Sequence, residues 1–229
     1  MILVAASIAD EDAASFVRTY KDAAVSLFTC FDIASNKSSL RYPQFNDSYI
    51  TVGGKQISLH EIRGVVNVLP AIFPGELFFY PEEEREYQAA EFHALLTFFL
   101  SALQCPVINK PSSLSLSGPF INPMSWYHVA HEIGIPLSRM QIDSDDPPAS
   151  AFDERGSVFE STCIGGSILS PSGTVADDYT QKLAAEVHCH FLKVFYTQEQ
   201  PNQFSFIRAQ TTPDLKEESV CAALMDFFD

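Results

Sequence analysis

Residues 64–109 limit the fold of this chain more than any other stretch. "GVVNVL" (64–69) has the continuous apolar character of a buried strand, and "CPVIN" (105–109) is a second, shorter one. Between them lies "PEEEREYQAAEFHALLTFFLSAL" (81–103), with Pro81 in the first turn and acids where a helix dipole is positive. Tyr87, Ala90, Ala94, Leu95, Phe98, Phe99 and Leu103 recur at helical spacing, which predicts one broad buried face. A strand, a long helix and a short strand make a βαβ unit. Such a unit implies a parallel sheet with right-handed crossovers.

The remaining segments fit an α/β chain. "MILVAAS" is a buried strand, followed by a helix from about Asp10 to Ala23, and "AVSLFTCFD" (24–32) is a further strand. "SYITVGGKQISL" (48–59) alternates on both sides of Gly53-Gly54, the pattern of a hairpin. A helix over 122–136 opens on Asn122 and Pro123 and closes near Gly134. "DSDDPPASAFDERG" (143–156) is polar and acidic, a linker or surface loop. "VFESTCIGG" (158–166) is a strand and Thr174 to Val187 a helix; "HFLKVFYT" (190–197) pairs with "FSFIRAQ" (204–210) across "QEQPN". A last helix is predicted from Asp214, with Glu217 completing a capping box.

Charge and composition narrow the function. A formal net charge of −15 leaves no basic stripe for nucleic acid or an anionic membrane surface, so neither is an expected partner. The five cysteines are scattered and contain no C-x-x-C pair, which suits free thiols in a cytoplasmic protein. "MILVAAS" lacks the basic region of a signal peptide, and "ALLTFFLSAL" is too short to span a bilayer.

The stretch "FYPEEEREYQAAEFHALLTFFLSALQCPVINKPSSLSLSGPFINPMSWYHVAHEIGIP" (79–136) resembles the N-terminal substrate domain of ATP-grasp enzymes. In that family a strand bearing Asn or Arg precedes a long helix with an inward Glu, then a "pviN-P" strand, a helix and a "Gly-hydrophobic-Pro" exit. The matching features are Asn67, Glu91, "PVINKP" and "GIP" at 134–136. "LAAEVHCHFLKVFYT" and "FSFIRAQTTPDL" resemble the tail of the same fold, with Pro213 and Leu215 in place. The metal-ligand positions depart from the pattern: Phe195 replaces an Asp, Arg208 a Glu and Gln210 an Asn. Magnesium needs anionic or carbonyl oxygens, and a guanidinium repels it. The family's lysines and Gly-rich lid have no counterpart either, and the Gly pair of "CIGGSILSPSG" is a weak phosphate signal without a lysine.

The resemblance therefore implies an α/β fold: a parallel-sheet, Rossmann-like domain over 1–142 and a shortened, ATP-grasp-derived α+β part over 157–229. The expected function is a non-catalytic module that binds a small ligand or a protein; the alternative is an ATP-dependent carboxylate-amine ligase, alone or completed by a partner chain. Asn67 and Asn109 at strand ends would face the crevice where open α/β sheets bind ligands, or else cap turns. Arg208 and Gln210 share a strand face, and Arg208 would grip a small anion directly or stand solvated. His128 with His131, and His188 with His190, match no zinc signature, so no metal or other cofactor is expected. Trp126, Tyr127 and Phe120 suit a ligand ring or a core. An intact ATP-grasp protein is a candidate partner, and a homodimer is the default assembly.

Overall fold

The computed structural model describes residues 1–34, 38–41, 43–139, 157–169, 171–200 and 203–229. The acidic segment 143–156 lies outside the described residues. The chain begins with β1 (Ile2–Ala5), α1 (Glu11–Thr19), β2 (Val25–Phe28) and α2 (Cys30–Ala34). A hairpin of β3 (Tyr49–Val52) and β4 (Lys55–Ser58) precedes β5 (Gly64–Asn67), α3 (Arg85–Ala102) and β6 (Val107–Ile108). Next come α4 (Pro123–Glu132), β7 (Ser157–Ile164), β8 (Ser167–Leu169) and α5 (Val175–Glu186). The chain closes with β9 (Phe191–Gln200), β10 (Gln203–Gln210) and α6 (Glu218–Phe228). Among the described residues no helix is long and apolar enough to cross a membrane.

Two compact units result: Met1–Pro119 with Asp214–Asp229, and Phe120–Pro213. This division differs from the expected 1–142 and 157–229, for two reasons. The Phe228 ring of α6 rests against Gly64 of β5, and Lys216 pairs with Asp12 at 3.3 Å, so the terminal helix belongs to the first unit. α4 instead packs on β10, where Tyr127 meets the Phe206 ring at 5.5 Å and Ser138 at 2.8 Å.

The first unit is built on a parallel sheet of order β2-β1-β5-β6. β1 runs in register with β2 from Ile2↔Val25 and with β5 from Ile2↔Gly64 to Ala5↔Asn67. Both faces of β1 are covered, which is why "ILVA" is apolar throughout. The βαβ unit forms as expected, with β5 and β6 parallel. The face of α3 that is buried is a different one, however. Ala89, Leu96, Phe99 and Leu100 are buried, while Tyr87, Ala90, Ala94, Leu95 and Phe98 are exposed. Glu91 is also exposed rather than inward. Apolar residues occupy both sides of this helix, so spacing alone could not choose between them.

Local signals account for the other differences. α1 stops at Thr19, and the chain reaches β2 through a 3-10 turn and Ala24 at φ 55°. The strand expected over 24–32 ends at Phe28 because Thr29-x-x-Asp32 starts α2. Asp32 Oδ2 accepts from the Thr29 N–H at 3.0 Å and its hydroxyl at 3.1 Å, which closes the first turn. At the other end α6 begins at Glu218, four residues later than expected. Asp214 Oδ1 accepts from the Lys216 N–H at 3.0 Å, a local turn that competes with capping.

The second unit is an antiparallel sheet of order β10-β9-β7-β8 backed by α4 and α5. The expected hairpin of β9 and β10 is present. Gly165-Gly166, at φ 58° and 87°, forms a tight turn between β7 and β8 rather than a phosphate loop. Trp126, Tyr127, Leu183, Leu192, Tyr196 and Phe206 fill the core of this unit. Trp126 and Tyr127 are thus core residues, whereas Phe120 is exposed.

Candidate functional site

In the first unit the polar groups gather at the carboxyl edge of the parallel sheet. The chain runs outward from β1 to β2 on one side and returns to β5 and β6 on the other. The strand order therefore reverses between β1 and β5, where open sheets leave a crevice for ligands. Asn67 is the last residue of β5 and pairs with Ala5 of β1, so it stands at that point. Its Nδ2 donates to the carbonyls of Asn109 (3.2 Å) and Leu116. Its Oδ1 is buried and has no hydrogen-bond partner among the described residues. A buried acceptor without a donor is costly, so this atom calls for an N–H or O–H from outside the described residues.

Asn109 follows β6, and its carbonyl is one of the two that Asn67 Nδ2 holds. Its Cβ lies where Gly118 comes closest, and Gly118 has φ 114°. Spacing could not reveal three further groups on this edge. Ser7, just past β1, donates its hydroxyl to Glu76, and the other carboxylate oxygen of Glu76 faces the Cys30 Sγ at 4.0 Å. Burial, with Glu76 beside it, pushes the Cys30 thiol up to about 11, so it is a poor nucleophile. Ser7 and Cys30 follow the first two strands and Glu76 comes after β5, positions that mark them in retrospect. An apolar cavity of about 300 Å³ lined by Phe28, Ile33, Ile50, Phe92, Leu96 and Phe99 includes none of them.

Arg208 and Gln210 lie on β10 of the second unit. Arg208 is opposite Phe195 of β9, and its guanidinium carbon sits 3.6 Å from the centre of the Phe195 ring. Such a stack uses the face of the fork and leaves its in-plane N–H groups for an acceptor. Gln210 Nε2 donates to the Thr212 carbonyl at 2.8 Å. His128, His131, His188 and His190 are exposed, and the described residues contain no group of three His, Cys, Asp or Glu that could hold a metal.

Solved ATP-grasp ligases align with the chain over nearly all of its length. PsnB, an ATP-grasp ligase complexed with a minimal precursor, matches with a TM-score of 0.72 at 12% identity, over 99% of this chain and 97% of that one. The macrocyclase MdnC from Microcystis aeruginosa MRC, bound with precursor peptide MdnA, matches at 0.66 and 10% identity, over 98% and 99%. D-alanine-D-alanine ligase from Aeromonas hydrophila matches at 0.56 and 14% identity, over 99% and 94%. The chain has an ATP-grasp-related fold. No family model and no curated protein matches its sequence.

An ATP-grasp fold raises the question of magnesium nucleotide. The residues at the three metal-ligand positions suggested by the resemblance do not fit it. They are an aromatic ring, a cation stacked on that ring, and an amide whose Nε2 is held by the Thr212 carbonyl, leaving one neutral oxygen. A hard divalent cation finds no anionic oxygen in that set.

Proposed function

We propose that this ATP-grasp-related chain is a non-catalytic module that binds a small anionic ligand. The Arg208–Phe195 stack carries this reading. It puts a fixed positive charge where an ATP-grasp ligase would need carboxylates, and a guanidinium takes phosphate or carboxylate oxygens directly. Asn67 supports a second point of contact in its own unit, because its buried Oδ1 lacks a donor among the described residues. Asn109 holds Asn67 in place, and Gln210 shapes the end of β10. Solved proteins of the same fold are complexed with precursor peptides and with ADP, so both kinds of ligand belong in a screen.

Calorimetric titration with ATP, with and without magnesium, tests the proposal. The expected result is no binding that depends on magnesium. Heat that appears only with the metal would overturn it and restore the alternative, an ATP-dependent ligase that works alone or with a partner chain. Any anion binding independent of the metal should weaken in Arg208→Ala with little change in Tm, since Arg208 is exposed.

A further inference from the structure

Four rings run along the surface of the first unit beyond β2 and before α3. Phe31 of α2 meets Phe79 edge-on, with ring centres 5.5 Å apart at 87°. Phe79 meets Phe78 at 5.5 Å and 81°, and Tyr80 at 5.1 Å. Phe31 is 51% exposed, Phe78 62% and Phe79 38%. Single exposed apolar residues need no explanation, but a linked row of phenylalanines from two separate elements does.

The row is held rigidly. Leu77 is fully buried beneath it, and the Tyr80 N–H donates to the Leu77 carbonyl at 2.9 Å. Arg85 on α3 donates Nε to the Tyr80 carbonyl at 3.0 Å and Nη2 to the Phe78 carbonyl at 3.3 Å. The one base in this stretch is thus spent on backbone, and it fixes the turn that presents the rings.

Acids flank the rings in the chain: Glu76 before them, and Glu82, Glu83 and Glu84 after them. The glutamates also suit the helix N-terminus that follows, but that does not account for phenylalanines left in water. An aromatic face bordered by carboxylates is complementary to an arginine or lysine, whose charge sits over the ring while its donors reach the acids. It repels nucleic acid and anionic lipid. A second copy of this chain, also at net charge −15, would place acids against acids.

We infer that the Phe31–Phe79–Phe78 row, followed by the exposed Glu82, Glu83 and Glu84, is a docking surface for a basic segment of a protein partner. The surface is independent of the ligand-binding proposal. The partner's segment carries arginine or lysine side chains that stack on the exposed rings.

Fluorescence anisotropy with a fluorescein-labelled Gly-Arg-Gly-Arg-Gly-Arg peptide, at about 0.15 M salt, tests this directly. Phe78→Ser and Phe31→Ser should each weaken binding by about tenfold without changing net charge. Leu114→Ser removes an even more exposed apolar residue elsewhere in the unit and should leave affinity unchanged. Thermal melting confirms that each variant is folded. The proposal fails if wild type does not bind the peptide. It also fails if the phenylalanine variants bind as wild type does, which would mean diffuse attraction to an acidic protein, or if Leu114→Ser weakens binding equally.

Discussion

Gly118→Ala should lower the unfolding free energy by about 2–4 kcal/mol and disturb the Asn67–Asn109 pair. Two causes add. The φ of 114° at Gly118 lies in a region that L-residues avoid. A Cβ built there would also stand 2.7 Å from the Cβ of Asn109, which is buried and cannot swing into solvent. Either the 118 backbone moves or Asn109 does, and Asn109 carries the carbonyl that Asn67 Nδ2 holds. Gly54→Ala separates the two causes: φ is 81° there, but a Cβ meets nothing within 4 Å. Urea denaturation should show a loss of about 1 kcal/mol for Gly54→Ala and a clearly larger one for Gly118→Ala. Equal losses would mean that the close approach to Asn109 has no energetic weight.

The parts of this fold that could be foreseen are those set by short-range rules. The apolar run of β1, the Gly53-Gly54 hairpin and the Asn122 cap of α4 each follow from a few adjacent residues, and each is present. Two other short signals act just as locally: Thr29-x-x-Asp32 starts α2, and Gly165-Gly166 turns β7 into β8. The face of α3 needed long-range information. Leu95 and Phe98 are as apolar as Leu96 and Phe99, and only the sheet beneath decides which pair is covered.

The site divides in the same way. The places of Asn67 and Asn109 at strand ends were legible from the apolar runs that precede them. The Ser7–Glu76 pair joins residues 69 apart, and the Asn67–Leu116 contact spans 49, so no local pattern announces either. The stack of Arg208 on Phe195 needs the register of β9 against β10, which sequence leaves open by a residue or two. A departure from family residues was visible; the contact that replaced them was not.

Asp177→Ala should destabilise the second unit by about 2–4 kcal/mol, an effect as large as any other expected here. Asp177 lies in the first turn of α5, is buried, and accepts four hydrogen bonds. The donors are the Ser161 hydroxyl (2.9 Å), the Ser172 N–H and hydroxyl (2.8 Å each) and the Gly173 N–H (3.0 Å). The carboxylate thus ties the segment before α5 to β7 and satisfies N–H groups that alanine would leave orphaned. Burial by itself would raise its pKa, but the bonds from Ser172, Ser161 and Gly173 outweigh burial and hold the carboxyl below its ordinary value. The sign of the pH effect follows. A depressed folded pKa means that the ionised form favours folding. That contribution is complete above the unfolded value of about 3.9 and is lost as pH falls through the folded pKa. Urea denaturation at neutral pH and at successively lower pH values should therefore show the gap between wild type and Asp177→Ala narrowing with acid. A gap that persists unchanged below the folded pKa would mean that the side chain acts by filling space, with its charge contributing nothing.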